Sequence, residues 1–365
     1  MPTFALRVDG NRHIGMGHVF RAMFLAEHLR AAGPGAEVLA LGATLVPPVT
    51  DFLAARGLRA VPVSGPGDPW RADPQLLRAA YASGRYAGAV VDLLEPDPGD
   101  DDLLDNPQYV PADLDAELGA ARGAGLPLCV FSDRCGPMDF QAAVLVNTCP
   151  AQRRQWYQAS AARVLLGPEG YILAPSFAAL AAQGKAFTRE VPRVAVFCGG
   201  NDHRGFTGPI LDGIAASGLR AEVEVVLGAA TPDAAQRERE YAARVARVHR
   251  GAPDLAEILG GADFVFSTSG NTLFDLAALG VPCAAVSTRE RQQVTARFFA
   301  ACGSCLDLGR DRDALPGAVA AVCAAVLPDR ARLAAMSRAG REAVDGAGGG
   351  RVARAVLAMA GEGAP

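Results

Sequence analysis

Two stretches of this chain set glycine, histidine and small polar residues at spacings that can do chemistry. The first, RVDGNRHIGMGHVFR, spans residues 7 to 21. Gly15 and Gly17 leave backbone that can approach a ligand closely or take positive φ, and His18 follows at once. In the first turn of a helix, a histidine feels the helix's positive end. That end disfavours the imidazolium and keeps a neutral ring ready to take a proton at neutral pH. His18 is therefore a candidate general base. The same residues also fit a tight turn with a capping or packed histidine, and Phe20 stands where the dinucleotide pattern G-x-G-x-x-G needs glycine. His13 shares the loop, and His28 reads as a helix-surface residue.

The second stretch comes in two pieces. FCGGNDHRGFT offers Gly199, Gly200 and Asn201, where consecutive backbone amides can bind an anion with help from the positive end of a following helix. An ordinary turn with solvated His203 and Arg204 fits equally. FSTSGNTLFDLAALGVP places Ser267, Thr268, Ser269, Gly270, Asn271 and Thr272 at a helix start, a diphosphate site that uses neither lysine nor metal. Asp275, one turn in, is placed to reach ribose hydroxyls, although Thr272 and Asp275 also fit a capping box. The phosphate-loop pattern G-x-x-x-x-G-K-[ST] does not occur. The D-x-D within GDDDLLD, residues 99 to 105, reads as a solvated loop, because unshielded carboxylates repel a diphosphate.

These turns need elements to hold them. Short runs rich in Val, Leu and Ala (FALRVD, AEVLALGA, YAGAVVDLL, PLCVFSD, AAVLVNTC) alternate with longer amphipathic stretches, and a second series runs through RVAVFCGG, AEVEVVLG, DFVFSTSG, PCAAVS and CLDLG. Such alternation predicts α/β units with parallel sheets covered by helices. A chain of 365 residues suits two of them with a cleft between. The polar segment 183–193 reads as the linker, giving domains over 1–185 and 190–345. DGAGGGR reads as a flexible break before a C-terminal helix and tail over 346–365. The acidic segment 95–111 reads as an exposed loop.

A net charge of -4 provides no basic field for nucleic acid, and no apolar run of about 18 residues predicts membrane insertion. The amino terminus enters a strand without a signal pattern, which predicts a cytoplasmic protein. Most of the eight cysteines sit in apolar runs as reduced core residues. Cys302-x-x-Cys305 falls at a helix's negative end, a poor place for a reactive thiolate.

With these segments in view, the chain resembles the UDP-sugar hydrolases of the pseudaminic acid pathway and their relatives in surface-polysaccharide synthesis. RVDGNRHIGMGHVFRAMFLAEHL is similar to that family's opening strand, turn and helix, and VLLGPEGYILAPSF, residues 164 to 177, to its mid-chain block. FCGGND and the block from FSTSG to RQQ resemble a nucleotide-binding half shared with the UDP-N-acetylglucosamine transferase of peptidoglycan synthesis. The resemblance implies a GT-B architecture of two facing Rossmann-like domains, a UDP-sugar substrate, and no metal or other cofactor. It implies His18 as the base that activates water at the anomeric carbon, and this chain's own Asn11, Gly15 and Gly17 are candidates for the substrate side. Gly199, Gly200, Asn201, Ser269, Gly270, Asn271, Thr272, Asp275 and Gln293 fall on the nucleotide side. Gly10 and Asn11, Leu93 and Leu94 with the acidic insertion, and SDR at 132 to 134 depart from the family pattern, so the implied sugar, and water as acceptor, are open. Transfer to an alcohol, amine or nucleobase is the alternative, and binding without turnover a third.

Overall fold

The computed structural model describes residues 2–9, 17–33, 37–42, 47–65, 68–84, 86–93, 113–134, 139–157, 161–229, 231–252 and 255–362. Asn11, His13, Gly15, Cys135 and the acidic segment 95–111 lie outside them. The chain divides into two compact units, one of residues 1–172 with 347–365 and one of residues 173–346. The polar segment 183–193 thus lies within the second unit, and the chain passes between units at 172–173 and again at 346–347.

The first unit carries β1 (Thr3–Val8), β2 (Glu37–Gly42), β3 (Arg59–Pro62), a small antiparallel hairpin of β4 (Ser64–Gly65) and β5 (Asp68–Ala72), then β6 (Tyr86–Asp92), β7 (Leu128–Ser132), β8 (Ala142–Asn147) and β9 (Ala161–Leu166). Its helices are α1 (Gly17–Ala32), α2 (Pro47–Ala54), α3 (Pro74–Ser83) and α4 (Leu114–Gly123). The main sheet is parallel in the order β3-β2-β1-β6-β7-β8-β9. Val8 and Asp92 sit side by side at the carboxyl ends of β1 and β6, where the strand order reverses. Ligands of open parallel sheets bind at such a switch point.

The second unit repeats the plan with β10 (Arg193–Phe197), β11 (Glu222–Leu227), β12 (Arg247–Arg250), β13 (Phe264–Thr268), β14 (Cys283–Val286) and β15 (Cys305–Asp307). The order is β12-β11-β10-β13-β14-β15, again parallel, with its switch point between β10 and β13. Its helices are α5 (Pro175–Ala181), α6 (Thr207–Ala216), α7 (Ala234–Ala242), α8 (Leu255–Gly261), α9 (Thr272–Leu279), α10 (Glu290–Cys302), α11 (Leu315–Ala325) and α12 (Arg330–Ala343). Near-continuous apolar strands such as FVFST, buried throughout, are what a sheet covered on both faces requires.

The glycine run read as a flexible break is the start of a helix, α13 (Gly348–Glu362). A Cβ on Gly348 would lie 2.1 Å from the Tyr171 carbonyl oxygen, and one on Gly349 would lie 2.3 Å from Nε2 of His28. The glycines therefore serve close packing, and His28 is a packing partner rather than a free surface group. Val352, Val356 and Met359 bury α13 in the first unit's core beside Val19, Met23 and Leu29 of α1.

Cysteines 129, 198, 283, 302, 305 and 323 are free thiols. Cys149 departs from the reduced-core reading, because it is disulfide-bonded. Among the described residues no helix is long and apolar enough to cross a membrane.

Candidate active site and nucleotide cavity

His18 is the second residue of α1, and its Nδ1 lies 2.7 Å from Oδ1 of Asp92, the last residue of β6. Arg21, one helical turn beyond His18 and on the same face, grips the same carboxylate from the other side. Its Nε donates to Oδ2 at 2.7 Å and its Nη2 to Oδ1 at 2.5 Å. The guanidinium's remaining edge meets Asp133, just past β7, with Nη1 and Nη2 each 3.0 Å from a carboxylate oxygen. Its plane rests over the Phe131 ring at 5.1 Å.

Burial alone would push the Asp92 carboxyl up, but Arg21 and then His18 outweigh it and hold the carboxyl below its ordinary value. Asp92 is therefore an ion and can only accept. Nδ1 of His18 carries the hydrogen, and Nε2 keeps its lone pair. The two Nη2 hydrogens of Arg21 are committed to Asp92 and Asp133, so the 3.1 Å approach of Nη2 to Nδ1 takes nothing from that arrangement. A carboxylate at Nδ1 fixes the tautomer and stabilises the charge that forms when Nε2 takes a proton. The helix end invoked from sequence is thus joined by a nearer, fully charged group. The ring is largely covered, with 9% of the side chain exposed.

Behind the dyad runs a second ionic set. Arg7, 1% exposed on β1, donates to both oxygens of Glu117 on α4 at 2.8 Å, and it also pairs with Asp9 at 2.8 Å. It anchors Asp9 where β1 ends. Gly17 is exposed, does not take positive φ, and has open space where a Cβ would stand.

In the second unit, the carboxyl ends of β10 and β13 enclose a cavity of about 270 Å³ lined by Cys198 to Arg204, Phe206, Thr268, Gly270 to Thr272, Thr288 and Gln292. It gathers Gly199, Gly200, Asn201, Gly270, Asn271 and Thr272. Gly199 has φ of +81°, which favours glycine. Gly228 is as constrained by space: a Cβ there would lie 2.3 Å from the Gly200 carbonyl oxygen and 2.4 Å from that of Gly199.

Ser269, Asp275 and Gln293 lie outside the cavity lining. Ser269 is fully buried; its hydroxyl donates to the Val286 carbonyl at 3.1 Å and lies 2.5 Å from the Ser287 hydroxyl, tying β13 to β14. Asp275 is half-buried on α9 and does not line the cavity. Gln292, not Gln293, lines it. The positive end of α6 is already occupied: Asp202 accepts from Phe206 N at 2.8 Å, Thr207 N at 3.2 Å and Thr207 Oγ1 at 2.7 Å. Thr272 forms no capping box either, since Asn271 is the cap residue and makes no side-chain capping bond.

The lining is therefore rich in donors. The first turn of α9 borders the cavity through Thr272, while its Leu273, Phe274 and Asp275 amides already donate to the Gly270 and Asn271 carbonyls at 3.1, 3.0 and 3.3 Å. Arg204, which sequence left as solvated, donates to the Thr288 carbonyl at 2.6 Å and overhangs Phe206 at 5.9 Å. Thr288 in turn donates to Oε1 of Gln292 from its amide at 3.3 Å and its hydroxyl at 2.5 Å, so the Gln292 amide group keeps its NH2 for other partners. Asp202 is the acid of the lining, and its oxygens are taken up by α6 and Arg237. Such a cavity suits an anion.

No family model matches the chain. The spore coat polysaccharide biosynthesis protein SpsG of Bacillus subtilis is 27% identical over 207 residues, which cover 54% of this chain and 59% of SpsG, so the chain matches well under two thirds of that relative's length. Among solved structures, MurG of Acinetobacter baumannii superposes with a TM-score of 0.65 at 15% identity, covering 98% of this chain and 100% of that one. The spinosyn rhamnosyltransferase SpnG, solved with thymidine diphosphate, gives 0.55 at 18% identity over 95% and 96% of the two chains. At such identities the likeness speaks for the fold, and the chain has the α/β fold of GT-B glycosyltransferases, built on two parallel sheets.

Proposed function

We propose that this protein transfers a sugar from a nucleoside diphosphate sugar to an acceptor, with His18 as the general base. The observation that carries the reading is the ionised Asp92 at 2.7 Å from Nδ1, which leaves Nε2 free to take a proton at a switch point where ligands bind. Nε2 takes the proton of an acceptor hydroxyl or amine as that atom attacks the anomeric carbon. The bond from that carbon to the diphosphate oxygen breaks, and its electrons leave with the nucleoside diphosphate. The donors of the second unit's cavity neutralise the charge that gathers on this leaving group.

Transfer is better supported than the hydrolysis that the family resemblance implied. The sequence relative is named for polysaccharide biosynthesis, and the structural relatives named above include a rhamnosyltransferase solved with a nucleoside diphosphate. Incubation with UDP-sugars and dTDP-sugars, alone and with candidate acceptors, tests the reading by following nucleoside diphosphate release. Release that depends on an acceptor is expected. Equal release in water alone would make the protein a hydrolase, and tight binding with no release under any condition would make it a binding protein.

A further inference from the structure

We propose that Arg21 and Asp133 are positioning residues for the base: Arg21 holds Asp92 against Nδ1 of His18, and Asp133 takes up the guanidinium's second edge so that the charge of Asp92 stays available to the imidazole. This rests on the assignment of His18 as base. The geometry is two bidentate grips on one guanidinium, with bonds of 2.5 and 2.7 Å to Asp92 and two of 3.0 Å to Asp133. Arg21 alone beside Asp92 would close a neutral pair and weaken the pull of Asp92 on the ring. With Asp133 included, two carboxylates face one guanidinium. One negative charge is left over while the ring is neutral, and none once Nε2 has taken a proton. The cluster is balanced in the state that follows proton abstraction.

The other charged groups nearby do not undo this balance. Arg7 on β1 pairs with both Asp9 and Glu117 in its own buried set, two carboxylates to one guanidinium, so that set brings no unmatched positive charge to the ring. The Cys129 thiol, buried on β7, is pushed up by burial and by Asp92 and stays neutral. Thr148, beyond β8, donates its hydroxyl to Asp133 at 3.3 Å and helps fix that carboxylate. Burial works against the Arg21 charge, but Asp133 and Asp92 together lock it in place.

A purely structural salt bridge and a positioning role separate on the titration of His18, followed by NMR of the imidazole in the full chain without substrate. Asp133→Asn removes a negative charge and is expected to lower the midpoint by roughly half to one pH unit, with the acid limb of the kcat/KM profile moving the same way. Arg21→Gln removes a positive charge and is expected to raise the midpoint by roughly one unit while kcat falls more than KM changes. Arg21→Lys is expected to stay near the parent midpoint and to recover part of kcat. An unmoved midpoint in Asp133→Asn, or a shift of the same sign in Asp133→Asn and Arg21→Gln, overturns the proposal. Should Arg21→Gln fail to fold, the Asp133→Asn and Arg21→Lys pair still decides it. If His18→Ala leaves turnover intact, the base assignment fails on its own, whatever the titrations show.

Discussion

Asp92 and Gly228 show how single residues shape the two sites. The Asp92 carboxyl is held below its ordinary value, so it contributes stability that is fully present above the ordinary carboxylate range near pH 4 and is lost as pH falls through its folded value. Asp92→Asn is therefore expected to lower stability at neutral pH, by about 3 to 5 kcal/mol where a buried pair is broken, and to lose less than the parent on acidification. Urea unfolding at pH 7 and pH 4 measures both. For Gly228→Ala the added methyl meets two carbonyl oxygens inside 2.5 Å. The turn that carries Gly199 and Gly200 must move, so nucleoside diphosphate affinity should fall at least tenfold with a clear loss of Tm. Gly200→Ala has open space and no positive φ, and should keep the parent Tm. His18 and the glycine turns were legible because they sit where a strand pattern gives way to a helix pattern. Asp92 and Asp133 carried a weaker signal, an acid closing a buried strand in VVD and CVFSD. Their meeting with Arg21 is a tertiary fact that spacing alone does not encode.

At the scale of elements, apolar runs announced the central strands, whereas β3 and β12 sit at sheet edges, have no buried residue, and offered no run to read. The glycines opening α13 misled for a different reason: glycine is a poor helix former, but close packing against Tyr171 and His28 overrides propensity. The sequence reading named Gln293, whereas Gln292 lines the cavity; neighbouring residues of a helix point about 100° apart, so one position decides which side chain faces in. Asp202 lines the cavity and also accepts from the Phe206 and Thr207 amides where α6 begins, so it caps that helix end from outside. Asp202→Ala should cost about 1 to 2 kcal/mol through that lost cap, seen as a lower Tm. At the far end of α8, burial lowers the Lys185 ammonium to about 8 while its Nζ donates to the Gly260 carbonyl at 2.8 Å. Between about pH 8 and the ordinary lysine value the unfolded chain binds the proton and the folded chain does not, so this group makes stability rise with pH in that window. Lys185→Arg keeps a donor that cannot deprotonate, and is expected to remove that rise relative to the parent in thermal unfolding from pH 8 to pH 10.

Across the whole molecule, two alternating strand and helix series correctly implied two parallel-sheet units, but not that the chain returns to the first unit through α13. The return is an energetic matter. Val352, Val356 and Met359 are at most 3% exposed in the first unit's core, and each such side chain contributes about 1.5 to 3 kcal/mol on burial. Their sum is comparable to the total stability of a domain, about 5 to 15 kcal/mol. Deletion of residues 347–365 should therefore leave the first unit open to proteolysis while the second, whose core is built from residues 194 to 336, resists. The division of labour proposed for the units gives the sharpest test, the turnover and nucleoside diphosphate affinity of His18→Ala measured side by side with an acceptor present. Turnover should fall about a hundredfold or more, the usual worth of a general base, with affinity unchanged, as expected of a site whose proposed binding donors lie in the second unit. Turnover at the parent rate, or a matching loss of affinity, would contradict the assignment of His18 as the base.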